Sequence, residues 1–191
     1  MHLDGARLWN AHVATGTALE DFGREFDTVA VCMSKGLGCP VGSLLVGSAE
    51  AIAESRVWRK RFGGGMRQAG ILAAAGLWAL DRHVDRLAED HARARRTAEA
   101  MAQAAPGVVD PSGVETNIVI ADVGAAGWSA ADFVTHALAE GVRTYAVGPG
   151  LVRLVWHLDV NDAATDHAVD VLTRLLATPP APRRGTSAPA H

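Results

Sequence analysis

The junction between Val29-Ala30-Val31-Cys32-Met33 and Ser34-Lys35-Gly36-Leu37-Gly38 constrains this chain more than any other stretch. A short apolar run of that composition reads as a buried strand, and the glycines after it mark a turn. Between them stands a lysine, one of two (Lys35 and Lys60) in 191 residues that contain sixteen arginines. Where positive charge alone is needed, this sequence uses arginine. A guanidinium stays protonated, whereas a lysine amine can shed its proton and attack a carbonyl. Strand, lysine and glycine turn together place a candidate nucleophile at the end of a buried strand, where open α/β sheets hold ligands. A lysine in a plain surface loop is the alternative reading.

The chain is 49% hydrophobic with a net charge of −3, enough apolar material for one domain or two small ones. No basic patch is interleaved with aromatics, so nucleic acid is not an expected partner. Arg93, Arg95 and Arg96 lie near Glu89, Asp90 and Glu99 on one helix, which reads as a solvated, salt-bridged face. Cys32 and Cys39 are too few for a disulfide framework and lack a second ligand pair for zinc, so reduced packing residues and no metal are expected. Neither a leader pattern nor a bilayer-spanning apolar run stands out. The expectation is a cytoplasmic protein with no membrane partner.

The periodicity predicts a strand end at the start, a short helix over 19–26, a strand over 28–33, and an apolar run over 41–46. Ser48 is placed as the N-cap of a helix reaching about Phe62, which Gly63-Gly64-Gly65 breaks. One long helix is then expected from 68 to 105, with its apolar first half (71–80) buried and its charged second half leaving the core. Strand (117–121), helix (130–140), two strands (142–146 and 151–156) and a final helix (162–176) follow. Ala163, Val169, Leu172 and Leu176 are read as the inward face of that last helix. The layout suggests a boundary near residue 95, a small α+β unit over 96–177 and a disordered tail over 178–191.

Asp4-Gly5-Ala6-Arg7 puts a carboxylate and a guanidinium three residues apart at a strand end, and beside Lys35 it acquires a chemical logic. An aldehyde cofactor such as pyridoxal phosphate (PLP) needs a lysine for a Schiff base. It also needs a carboxylate to keep its pyridine nitrogen protonated. Four blocks, in order, then carry a specific resemblance. They are His2-Leu3-Asp4-Gly5-Ala6-Arg7-Leu8-Trp9-Asn10-Ala11, Ser34-Lys35-Gly36-Leu37-Gly38-Cys39-Pro40-Val41-Gly42-Ser43, the stretch Trp58 to Gly70 around the triple glycine, and Val152 to Asp159. Together they resemble the signature blocks of the low-specificity L-threonine aldolases, PLP enzymes of the aspartate aminotransferase fold, over residues 2 to about 176.

The resemblance implies an α/β chain: the C-terminal part of a fold type I large domain (1–95) followed by a small α+β domain (96–177). It implies Lys35 as the Schiff-base lysine and Asp4 as partner of the pyridine nitrogen. Arg7 would lie near the cofactor's phenolic oxygen and the substrate carboxylate, with Arg153 as the main carboxylate clamp. Lys60 and Arg67 would reach the site of a neighbouring subunit near the phosphate, in the family's tetramer. The implied substrate is L-threonine or a related β-hydroxy-α-amino acid, cleaved to glycine and an aldehyde. β-Elimination on another amino acid and a non-catalytic remnant are the competing readings.

Without the resemblance, Arg153 reads as an ion-pair partner of Asp159, and Lys60 as part of a solvated helix face. His12, His83, His91, His136 and His157 have no partner visible in the sequence. Trp156 departs from the family pattern, which has a smaller polar residue there; it either packs or narrows the pocket. The family's residues ahead of the Asp-Gly-Ala-Arg block have no counterpart here. The expectation is therefore weak PLP binding and little turnover by these residues alone, unless a separate N-terminal portion or another subunit completes the site.

Overall fold

The computed structural model describes residues 1–178, which form two compact units. The first comprises 1–93 with 115–117 and 156–161; the second holds 94–114, 118–155 and, of the described residues, 162–178. The expected tail, 178–191, lies outside the described residues apart from Thr178.

In the first unit β1 (His2–Gly5), α1 (Leu8–Thr15), α2 (Leu19–Arg24), β2 (Thr28–Cys32) and β3 (Ser43–Gly47) lead into α3 (Ala49–Arg61) and α4 (Gly70–Arg82). The helix α5 (Leu87–Ala104) begins here and continues into the second unit. Its sheet has the order β1-β2-β3, with β1 parallel to β2 (Asp4 opposite Ala30) and β3 antiparallel to β2 (Leu45 opposite Ala30). Alternation places Val29 and Val31 on one face, where they pack with Leu8, Trp9, Leu19 and Phe22 of α1 and α2. A second cluster joins Met33, Leu37 and Cys39 to Ala79 of α4 and Leu87 of α5. The cysteines are free, with Cys39 buried and Cys32 half-buried.

The helix α1 has no counterpart in the sequence reading. Its apolar residues do not recur at helical spacing strongly enough to declare it. Ser48 does cap α3, its Oγ accepting from Ala51 N–H at 3.2 Å. The single helix expected over 68–105 is two helices, broken at residues 83–86. His83 ends α4 with its N–H bonded to Ala79 O, and a turn with Leu87 N–H bonded to Val84 O restarts the chain as α5. The expected burial of 71–80 is also corrected. Ala79 alone in α4 is buried, while Ile71 is 82% and Leu77 71% exposed. Apolar residues all round a helix require cover on every side, and α4 is covered on one.

In the second unit β4 (Ile118–Asp122), α6 (Ala130–Ala139), β5 (Tyr145–Ala146), β6 (Leu151–Val155) and α7 (Asp162–Ala177) follow the back half of α5. The strands run β4-β6-β5, all antiparallel. Asn117 lies just before β4, and the segment Tyr145–Ala146 is shorter than expected. Thr165, Val171, Leu172, Leu175 and Leu176 form the buried face of α7; Ala163 is exposed, against expectation, because it stands two residues from Thr165 and so on the opposite side of the helix. Trp128, fully packed, donates from Nε1 to Leu175 O at 3.0 Å and meets Phe133 edge-on.

The charged face expected on α5 divides. Arg95 and Glu99 pair at 3.5 Å on the surface. Asp90, by contrast, is fully buried, with Arg86 at 2.6 Å and Arg93 at 3.6 Å. A carboxylate enters an interior only with its counter-charges, and both guanidiniums come with it.

Candidate active site

Parallel pairing of β1 with β2 puts the carboxyl ends of the two strands side by side. Asp4 occupies the end of β1, and Lys35 follows β2 by three residues. Both side chains are exposed. The Asp4 Oδ1 accepts from Ala6 N–H at 3.1 Å, which orients the carboxylate against its own turn. Gly5 is required next to it: a Cβ there would stand 2.9 Å from Ala30 O on the neighbouring strand. Arg7, half-buried, begins α1, its carbonyl accepting from Ala11 N–H.

The Lys35 amine makes no hydrogen bond or ion pair among the described residues, although its backbone is held firmly. Lys35 O accepts from Gly38 N–H at 2.9 Å, and Met33 O accepts from Cys39 N–H at 3.0 Å. Gly38 takes a φ of 71°, and a side chain there would meet Leu158 Cδ2 at 2.8 Å. The strand end itself is fixed by Trp9, whose Nε1 donates to Cys32 O at 3.2 Å. An unpaired amine on the anchored turn after β2 and an oriented carboxylate at the end of the adjoining strand β1 suit a cofactor that needs a covalent lysine and a charged partner for a ring nitrogen.

Lys60 lies in the last turn of α3 and Arg67 in the segment that follows, both exposed in the same unit. The Lys60 stem runs along Gly65, where a Cβ would fall 2.7 Å from its Cδ. Gln68, with φ of 49°, is the one non-glycine residue in the left-handed region among those described. Such strain costs about 1–3 kcal/mol and concentrates at functional segments.

Arg153 belongs to the other unit, in the middle of β6. It does not pair with Asp159, as the residue pattern alone suggested; Asp159 stands 3.6 Å from His157 Nδ1 instead. The Arg153 guanidinium lies 5.8 Å from the Tyr145 ring centroid, and its Nε is buried without a hydrogen-bond partner. Trp156 is buried, its N–H bonded to Asn117 O and its carbonyl accepting from Asn117 Nδ2 at 2.7 Å, so the indole packs. An apolar cavity of about 410 Å³ lies in the first unit between Met33, the start of β3 and α4. Among the described residues no helix is long and apolar enough to cross a membrane, and no three His, Cys, Asp or Glu side chains gather as a metal site.

The histidines without visible partners all acquire one. His12 bonds to Thr17 O, His83 to Leu37 O and His136 to Asp132 O, while His91 meets Asn10. Of these His83, His91 and Asn10 lie under the Lys35 turn. Nothing in sequence spacing links residues 46 or 81 positions apart.

Residues 1–126 match the family model described as beta-eliminating lyase. The chain belongs to this family. Among its curated relatives, the low specificity L-threonine aldolase of Escherichia coli is 45% identical over 161 residues, covering 84% of this chain and 46% of that protein. A probable low-specificity L-threonine aldolase of Arabidopsis thaliana is 36% identical over 176 residues, 92% of this chain and 50% of its own length. The chain thus spans about half the length of the curated relatives it matches.

A putative L-allo-threonine aldolase from Listeria monocytogenes superposes with a TM-score of 0.69 at 21% identity, covering 92% of this chain and 51% of that one. An N-acetylornithine aminotransferase from Stenotrophomonas maltophilia gives 0.62 at 21% identity, over 92% and 46%. The fold of this chain is that of the PLP-dependent fold type I enzymes.

Proposed function

We propose that this chain carries the lysine-bearing part of a PLP-dependent aldehyde-lyase site that cleaves L-threonine and L-allo-threonine to glycine and acetaldehyde. The observation that carries the reading is the pairing of β1 with β2, which sets Asp4 and the unpaired Lys35 amine at neighbouring strand ends. The aldolase names of the relatives favour the substrate.

PLP, when bound, supplies an electron sink for the pair released as a bond to the substrate's α-carbon breaks. Lys35 would hold the cofactor's aldehyde carbon covalently, and the Asp4 carboxylate would keep the ring nitrogen protonated. Arg153 would grip the substrate carboxylate with its planar fork, aided by Arg7. That grip sets which bond at the α-carbon stands in the reactive orientation, so positioning supplies most of the protein's share. Lys60 and Arg67 would serve a neighbouring subunit near the cofactor phosphate. Residues 1–95 are read as the cofactor-binding part and 96–177 as the small domain. The protein is read as cytoplasmic and as working in an assembly, where other polypeptide covers exposed β3 and α4. β-Elimination is the second reading, favoured by the family description itself.

Borohydride reduction of the chain at saturating PLP tests the assignment, followed by peptide mass spectrometry. Label is expected at Lys35 in preference to Lys60, and Lys35→Arg should abolish it. In an assembly that completes the site, threonine cleavage should fall about 10³-fold or more in that variant. Label confined to Lys60 or the terminal amine would refute the reading. Pyruvate and ammonia in place of acetaldehyde and glycine would favour elimination.

A further inference from the structure

An exposed lysine in a connecting loop needs no foundation, yet the Lys35 turn has one. Leu37, two residues past the amine, is fully buried with Met33, Cys39, Ala79 and Leu87. Gly36 sits so close to that cluster that a Cβ would lie 2.8 Å from Leu87 Cδ2 and 3.5 Å from Asn10 Oδ1. His83, the residue that ends α4, turns its ring toward the same turn, with Nδ1 2.7 Å from Leu37 O. A carbonyl only accepts, so the ring carries its proton on Nδ1. At the C-cap of α4, this one side chain therefore clamps a carbonyl 46 residues away.

We propose that His83 is a positioning residue for Lys35: by holding the Leu37 carbonyl it fixes the turn and hence the direction in which the amine leaves the end of β2. The inference rests on Lys35 being the covalent lysine. Buried Leu37 sets the depth of the turn, and the His83 bond sets its rotation about that anchor. Loss of the bond leaves Leu37 buried but frees the backbone around it. An amine displaced by about 1 Å loses reactivity by up to about 10²-fold.

The test uses the full chain at saturating PLP, with the rate of borohydride-fixed label followed separately at Lys35 and Lys60. His83→Leu is expected to slow labelling of Lys35 about tenfold and to leave Lys60 unchanged. His83→Asn, whose amide nitrogen can take the place of Nδ1, should restore the rate. Amide hydrogen exchange at Gly38 and Cys39 should rise in His83→Leu, fall back in His83→Asn, and stay constant in α7. Equal Lys35 labelling by wild type and His83→Leu overturns the proposal while leaving the lysine assignment intact. Absence of a Lys35 preference in the wild type overturns that assignment and the proposal with it. If His83→Leu does not fold, His83→Gln replaces it with the same expected loss, since its amide donor lies one bond farther from the backbone.

Discussion

Gly36→Ala is a perturbation whose cost follows from the packing under Lys35. The added methyl would meet Leu87 Cδ2 at 2.8 Å, against an ordinary carbon–carbon contact of about 3.5–4.0 Å. Something must move by roughly 1 Å, and Leu87 has no exposed surface through which to retreat. Overpacking of this kind costs about 1–3 kcal/mol. The Gly36 φ lies outside the left-handed region, so alanine recovers about 0.4–1 kcal/mol from the unfolded chain. The net loss should be about 1–2 kcal/mol, seen as a fall in Tm of about 2–8 °C.

Leu87→Ala should cost about 2–5 kcal/mol alone. In the double variant the new methyl enters the vacated space, so the combined loss should fall short of the sum by at least about 1 kcal/mol. Urea unfolding of the four proteins, followed by tryptophan fluorescence, measures the cycle. A neutral or stabilising Gly36→Ala, or additivity within about 0.5 kcal/mol, would show that Leu87 does not support the turn.

Three further outcomes are expected. Asp90→Ala leaves two mostly buried guanidiniums without their buried carboxylate, with Glu89 at 4.0 Å and 3.3 Å as a remaining acidic partner, and should destabilise by up to about 3–5 kcal/mol in denaturant titration; a loss under about 1 kcal/mol would mean the carboxylate is hydrated in solution. Burial holds His91 below its ordinary value of 6.5, against a smaller upward pull from Asp90. The unfolded chain then takes up the proton first, so this contribution is complete above about pH 6.5 and is lost as pH falls from there toward the lowered folded value. The Tm of the wild type should drop across that window more than that of His91→Asn. Trp128→Phe removes the donor to Leu175 O and should cost about 1–3 kcal/mol by thermal melting, with Lys35 labelling unaffected.

The local signals in this chain were the legible ones. The β2 run and its glycine turn, the Ser48 cap and the strand–helix order of the second unit are written in contiguous residues. The break between α4 and α5 is not. Leu80, Val84 and Leu87 keep helical spacing across it, and the bond that His83 makes at this point goes to a carbonyl 46 residues away. Asp90 misled for a similar reason. Its i,i+4 pairing with Arg86 has the same pattern on a surface or in an interior, and only tertiary packing decides which. At the candidate site, Asp4 and Lys35 could be named from residue type and turn chemistry. The support beneath the Lys35 turn, Asn10, His83 and Leu87, with His91 bonded to Asn10, arises from contacts that no spacing announces.

The scarcity of lysine has a practical side once Lys35 is seen standing unpaired on its anchored turn. Besides the terminal amino group, the chain offers two primary amines to any electrophile. Ordinary amine-coupling reagents, on sensor surfaces or fluorescent esters alike, thus meet few targets on this protein, and one of them is the very amine proposed above to hold the cofactor.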